Sequence, residues 1–320
     1  MPHFSCIIEE PDLISFRLDR YVSEKLKLLS RSQIKARNLT AKINKKNVKL
    51  SRLVKQSDCL ELFWDDSPPV DLIPQDIKLD IIYEDENCVA VNKEQGMVVH
   101  PGAGNREGTL ANAFYFRRLN KSKNINLNDE PDSGGANART GIVHRLDKET
   151  SGVIIAAYNE QTHAFLSEQF KARKVKKTYY AIVQGTPKEI KGKIDTFIAR
   201  DPKDRKLFTV ADNGRNAVTF YKILKTWKTH SLLVLHPRTG RTHQLRVHLR
   251  HIGCPILGDS MYRDVKIKQG KDKLFPNVTL MLHSKSLSIF LPGEETPRIF
   301  SSPLPSRFIE VINKLSRINK

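Results

Sequence analysis

The chain has 320 residues, 39% hydrophobic and 28% charged, and its 54 basic and 35 acidic residues leave a net charge of +19. That length exceeds one typical domain and predicts two, with apolar content sufficient for a core. The charge favours a polyanionic partner. No run of 18 apolar residues and no charged-then-apolar leader occurs, so neither a membrane span nor a signal peptide is expected. Cys6, Cys59, Cys88 and Cys254 stand singly without a CxxC pair. This excludes the usual zinc spacings and a disulfide framework, and fits a reduced, cytoplasmic setting.

The first predicted element is a helix in "RLDRYVSEKLKLL", where Leu18, Tyr21, Val22, Leu26 and Leu29 form one apolar face. Ser30 and Ser32 offer N-caps for a second short helix carrying Ile34. Strand-like "AKINKKNVKL" and "DCLELFW" follow, and residues 16–64 hold 13 basic against 4 acidic residues. Two basic helices and a hairpin over residues 15–64 resemble the small RNA-binding domain named after small-subunit ribosomal protein four. The resemblance implies an N-terminal RNA-binding domain at 1–64, with Arg31, Lys35, Arg37, Lys45 and Lys46 as RNA-binding cations. Lys45 and Ser57 stand where that family usually has a turn glycine, so these turns are expected to be less relaxed.

Residues 65–76, "DDSPPVDLIPQD", carry three prolines without helical or strand periodicity and read as a linker. A second domain at 77–320 then reads as strands with interspersed helices. "IKLDIIYE", "CVAVNK", "GVIIAA", "YYAIVQG", "NAVTFYKIL" and "SLLVLHP" are short β-branched and aromatic runs bounded by turn residues. Helical patterns appear near 109–118, 160–170 and 241–252, and the polar stretch 119–140 reads as a flexible loop. Several strands succeed one another without an intervening helix. That predicts an α+β fold on a mixed, largely antiparallel sheet.

Within this domain "GIVHRLDKETSG" (141–152) gathers a histidine, an arginine, an aspartate and a lysine between apolar runs. Alone it is either a solvated turn or a carboxylate placed for chemistry. A second basic cluster, "KARKVKK" at 171–177, has five cations in seven residues. Several enzyme classes fail on spacing. The aspartate of "HRLD" is one place late for a kinase catalytic loop, and no DFG or glycine-rich nucleotide loop accompanies it. "HPGAGNREG" lacks the Lys-Ser/Thr of a P-loop, and the histidines of "RTHQLRVH" do not make HExxH.

Four segments occur in order: "YEDENCVAVNKEQGMVVHPG" (83–102), "HRLDKETSGVIIAA" (144–157), "KKTYYAIVQG" (176–185) and "HPRTGRTHQLRVHLRHIGCPILGDSMY" (236–262). Together they resemble the pseudouridine synthases that modify large-subunit ribosomal RNA, over residues 77 to about 310. The fuller first segment, "VVHPGAGNREGT", is similar to the synthase D group. Glu94 stands where a proline is usual after the lysine of "NK", a departure that touches a turn.

The resemblance implies a cofactor-free isomerisation of uridine to pseudouridine in 23S ribosomal RNA, at clustered sites in helix 69. Alternatives are another loop of that RNA, or a non-catalytic ribosome-assembly protein. Naked RNA or a pre-ribosomal particle would be the partner, with no membrane and no metal. Such a reaction needs an ionised carboxylate, as nucleophile or as stabiliser of a cationic sugar; by resemblance this is Asp147. A dry aspartate tends to protonate and a nearby guanidinium reverses that, the role implied for Arg246. Tyr179 corresponds to the family's pocket tyrosine, stacking on the base and assisting proton removal. The target base must flip out, and Arg145 is implied to fill its place and bind phosphates. Arg241 is a further RNA-binding candidate, and His144 is expected to support the loop.

Overall fold

The computed structural model describes residues 3–10, 16–26, 28–29, 34–35, 37–65, 72–102, 104–124, 141–262 and 274–318. The chain divides into two compact units, Met1–Asp71 and Leu72–Lys320.

In the N-terminal unit strands β1 (His3–Ile7), β2 (Thr40–Ile43), β3 (Lys46–Val48) and β4 (Cys59–Phe63) form an antiparallel sheet in the order β1–β4–β2–β3. Alternate residues Ala41, Ile43, Leu60 and Leu62 are buried, as a one-sided sheet requires. They pack with Leu18, Tyr21, Val22, Leu29 and Ile34 in one core, and Leu26 is partly buried against it. The predicted apolar face is therefore real, but helix α1 covers only Leu18–Arg20 before widening into a π-helical turn, Tyr21–Lys25. Arg31 and both serines proposed as caps lie outside the described residues. Strand β1 was not anticipated: "HFSCI" is five residues long, and only Phe4 and Cys6 turn towards the core, each partly buried.

The two turns that lack glycine have a definite cost. Asn44 and Lys45 connect β2 to β3 with φ of 52° and 63°, and Ser57 has φ of 68°. A two-residue hairpin whose twist matches its strands needs positive φ at both central positions. Asn44 is held there by its side chain, which accepts from the Cys59 amide at 2.9 Å and donates to Asp58 at 3.1 Å. Lys45 has no such compensation.

The larger unit is built on a ten-stranded sheet. Its members are β5 (Ile81–Glu84), β6 (Cys88–Lys93), β7 (Ser151–Ala157), β8 (Lys176–Gln184), β9 (Lys191–Arg200), β10 (Phe208–Ala211), β11 (Arg215–Thr226), β12 (His230–Pro237), β13 (Leu282–Ile289) and β14 (Arg298–Ser301). They run in the order β10–β9–β11–β12–β8–β13–β7–β6–β5, with β14 beside β13. Only β7 and β13 pair in parallel, so the mixed, largely antiparallel α+β sheet is present. Strands β6 and β7 are buried on both faces. Val89, Val91, Ile154 and Ala156 point into the main core, while Cys88, Ala90, Val153 and Ile155 point into a second one. This explains their unbroken apolar runs.

Among the described residues four helices accompany the sheet: α2 (Leu110–Asn124), α3 (Glu160–Lys171), α4 (Gln244–His251) and α5 (Ser306–Ile318). Helix α3 starts where Asn159 accepts a hydrogen bond from the Thr162 amide at 2.8 Å. Helix α2 corrects the loop expected from residue 119: residues 119–124 are helical, and 125–140 lie outside the described residues. Leu110, Ala111, Ala113 and Phe114 bury its first turns. A helix nucleated by packing propagates cheaply into a polar tail, and Lys121 pairs with Glu84 at 3.6 Å. Among the described residues no helix is long and apolar enough to cross a membrane.

Candidate active site

The stretch 141–150 runs as a loop into β7, and its neighbours fix it from three sides. Gly141 has φ of 63°, and a Cβ there would meet the Ala157 carbonyl oxygen at 1.9 Å. His144 accepts from the Ile155 amide through Nε2 at 3.1 Å and stacks on Phe170, ring centroids 4.4 Å apart. Burial pushes its pKa down to about 3, so the ring is a neutral acceptor. That is a supporting role.

The third support is Lys93, at the end of β6. Its ammonium is buried and donates to the carbonyls of Glu94 and Met97, each at 2.8 Å, and of Lys148 at 3.1 Å. Burial pulls its pKa down to about 8. Three carbonyl dipoles satisfy a cation that would otherwise be costly to bury. Gly96 donates to the Lys148 carbonyl and Gln95 to that of Glu149. The "NKEQG" segment is thus a clamp on the loop that carries Asp147.

Asp147 projects into a cavity of about 530 Å³ whose lining includes Arg145, Tyr179, Arg241, His243 and Arg246. It is the sole acidic residue of that lining, which otherwise contributes the cations Arg145, Lys171, Arg173, Lys177, Arg238, Arg241 and Arg246. The Arg246 guanidinium approaches Asp147 Oδ2 through Nη1 at 3.5 Å. Its other nitrogens are committed. Nε and Nη2 donate to the two oxygens of Asp259 at 2.7 and 2.8 Å, in the parallel two-bond geometry that suits a guanidinium.

Asp259 is buried, also accepts from the amides of Met261 and Tyr262, and has Tyr262 beneath the guanidinium, 4.9 Å from its ring centroid. Burial pulls the Arg246 pKa down, but Asp259 and then Asp147 more than offset this and raise it. Arg246 is therefore a fixed cation with one edge left for Asp147.

Sequence reasoning did not assign Asp259 a role. The signal was present in "GDSMY", since an acid among small and aromatic residues often seeks a buried partner.

Tyr179 is buried on β8, and burial pushes its hydroxyl up to about 12, with the Asp147 charge adding to the rise against the opposing pull of Ser284. It is a neutral phenol. His243 precedes α4 in the left-handed conformation, φ 56°, with Nδ1 2.7 Å from the Tyr262 hydroxyl. The Phe208 amide donates to that same oxygen at 2.9 Å, so the Tyr262 hydroxyl ties His243 to β10.

Asp147, Tyr179, Arg246, Arg145 and Arg241 thus share one cavity. Arg145 is exposed, whereas Arg241 is partly buried and donates from Nε to the Asn216 carbonyl at 3.0 Å. Lys35, Lys45 and Lys46 are exposed and Arg37 half-buried, all in the N-terminal unit. Among the described residues no cluster of three or more His, Cys, Asp or Glu side chains could hold a metal ion.

Comparison with known proteins agrees on one family. The profile of the RNA pseudouridylate synthases matches residues 87–251. A protein of Borreliella burgdorferi named ribosomal large subunit pseudouridine synthase D is 43% identical over 302 residues, 92% of this chain and 88% of its own length. An RNA pseudouridine synthase of Chlorobaculum parvum is 38% identical over 94% of both chains. The solved structure of human RNA pseudouridylate synthase domain containing 4 superposes with a TM-score of 0.57 at 28% identity, covering 74% of this chain and 93% of its own.

Proposed function

The chain belongs to the RNA pseudouridylate synthase family and is an RNA pseudouridine synthase; from that premise we propose that it modifies large-subunit ribosomal RNA, at clustered uridines in the hairpin loop of helix 69, with Asp147 driving the reaction. The observation that carries the assignment of Asp147 is its place as the lone carboxylate of a cavity lined by cations, 3.5 Å from a guanidinium pinned by a second acid. The substrate reading is supported by the names of the relatives and by the "VVHPGAGNREGT" segment. Work on ribosomal RNA puts the enzyme in the cytoplasm.

Pseudouridine formation breaks the N1–C1′ bond, turns the base, and joins C5 to C1′. The C5 proton leaves and N1 gains one, so the reaction is redox-neutral and needs no cofactor. Asp147 acts as an ionised carboxylate, either bonding transiently to the substrate or stabilising a cationic sugar. Arg246 keeps a positive charge beside it in a partly desolvated site. Tyr179 stacks on the base, and its phenol assists removal of the C5 proton by relaying it, because at neutral pH it carries its own proton.

Arg145, exposed at the cavity mouth, fills the stack vacated by the flipped uridine. Loop bases are partly unstacked already, so flipping them costs less than in a duplex. Arg241 and the cations Lys35, Arg37, Lys45 and Lys46, with Arg31, grip phosphates and set register. The test is pseudouridine mapping in ribosomal RNA from cells with and without the protein. Loss of the helix 69 sites is expected. Full modification there with loss at another large-subunit loop refutes the substrate while leaving the enzyme class intact.

A further inference from the structure

Strands β9, β11 and β12 bury one face and leave the other open. Ile194, Ile198, Ala217, Thr219, Leu233 and Leu235 are buried on the inner side. On the outer side the register places Lys193, Phe220 and His236 in one row. The next row holds Asp195 and Val218, with Arg238 bonded to Val218 backbone to backbone. Phe220 is 38% exposed and Phe197, further along β9, 46%. The Arg238 guanidinium lies 5.8 Å from the Phe220 ring centroid. Lys191 and Lys222 form the adjoining row. Asp195, the one acid in these three rows, is already engaged by Lys193 at 2.6 Å and Asn216 at 2.9 Å.

A lone exposed phenylalanine means little. Here the ring sits among cations, and Arg238 also lines the catalytic cavity. Lysine is depleted from the centres of protein–protein interfaces, whereas an exposed aromatic flanked by lysine and arginine on an open sheet suits unpaired nucleotides. The base stacks and the cations take its phosphates. A strand leaving the cavity past Arg238 meets Phe220 next.

We infer that the outer face of β9, β11 and β12 is an accessory RNA site, where an unpaired base flanking the target loop stacks on Phe220 while Arg238, Lys193 and Lys222 hold the neighbouring phosphates. This rests on the substrate being RNA, not on its being helix 69.

The test uses the full chain and two labelled RNAs, a blunt uridine-loop stem-loop and the same stem-loop with an unpaired tail of about eight adenosines, within the usual site size for single strands. Fluorescence anisotropy gives both affinities. Phe220→Ala should weaken binding of the tailed RNA about tenfold, from the loss of one stacked base, and change the blunt RNA less than about twofold. Phe220→Trp should retain the tailed affinity. Lys222→Ala should lower the log–log salt slope by about 0.7 for the tailed RNA alone.

Melting temperature and turnover on the blunt RNA should stay at wild-type values in all three variants, since none of these residues lies at the reacting atoms. The proposal is overturned if the tail adds no affinity to the wild type, which would leave the face to a protein partner, or if Phe220→Ala weakens both RNAs equally. Tail-dependent binding by a wild type that fails to modify a helix 69 stem-loop refutes the proposed substrate and upholds this site.

Discussion

Replacing Asp259 with asparagine should damage catalysis through Arg246 while leaving RNA affinity nearly unchanged. The amide keeps the size of the side chain but offers one acceptor where two oxygens now receive Nε and Nη2 at 2.7 and 2.8 Å. The guanidinium loses its second anchor and its Nη1 contact to Asp147, now 3.5 Å, loosens. With an effective dielectric of about 20, unit charges at that separation interact by about 4.7 kcal/mol, and about 1 Å more leaves about 3.7 kcal/mol. If the difference of about 1 kcal/mol is felt fully in the transition state, the rate falls about fivefold.

Deleting the cation outright, as in Arg246→Met, should cost far more than this. Stability should fall as well, because opening one side of a buried ion pair costs about 3–5 kcal/mol, with asparagine at the low end. Single-turnover release of the C5 hydrogen from isotopically labelled uridine RNA, run well below the melting temperature of the variant, separates the two effects. An Asp259→Asn enzyme with a lowered melting temperature but a wild-type single-turnover rate would show that Asp259 serves only the fold. A rate as low as that of Arg246→Met would show that the two acids do not divide the guanidinium as described.

Asp147→Asn should abolish turnover while RNA affinity stays within a few-fold; a variant retaining more than about a thousandth of the wild-type rate would remove Asp147 from the chemistry. Acid stability should depend on His283 and His248, both fully buried, whose pKa values burial pushes down to about 4. The unfolded chain takes up their protons near pH 6.5 and the folded one does not. Stability is therefore lost as pH falls from about 6.5 towards 4, by up to about 2 kcal/mol per histidine at pH 5. Urea titrations at pH 7 and pH 5 should show this loss reduced in His283→Asn, and an unchanged pH slope would refute it. Lys45→Gly should raise the stability of the N-terminal unit by roughly 0.5–1 kcal/mol by relieving its φ of 63°; thermal melting that shows no gain would mean the turn is already relaxed.

The legible parts of the fold were those whose physics is local. The runs at β6, β7 and β12 announce themselves because their strands bury apolar residues, and α4 emerges from the spacing in "QLRVHLRH". Strand β13 was missed because "LHSKSLSI" looks like surface. Its buried polar residues are satisfied by other segments: His283 bridges Ser151 and Ser302, each at 2.9 Å, and Ser284 donates to the Val153 carbonyl at 3.2 Å. Strand β9 sets Ile194 and Ile198 four residues apart among lysine, aspartate and threonine, which does not read as strand alternation, and α5 was overlooked although Phe308, Val311, Ile312 and Leu315 recur at helical spacing. Asp147, Tyr179 and Arg246 were proposed through resemblance. Asp259 and Lys93 were not, because their meaning lies in partners supplied by distant segments.

The position of β13 has a consequence for how the enzyme comes into being. Strands β5, β6 and β7 can pair among themselves, as can β8 to β12, and β13 is the splice between these half-sheets. The loop bearing Asp147 enters through the first half, while Tyr179 and Arg246 belong to the second. His283 meets Ser151 across roughly 130 residues of chain, a closure costing about 4 kcal/mol for an unstructured loop and less once the intervening hairpins have formed. Folding should therefore complete the cavity last. A nascent chain that ends before Leu282 already contains Asp147, Tyr179, Arg246 and Asp259, yet lacks the strand that brings them to one place. The activity waits until β13 is free to pair with β7 and β8.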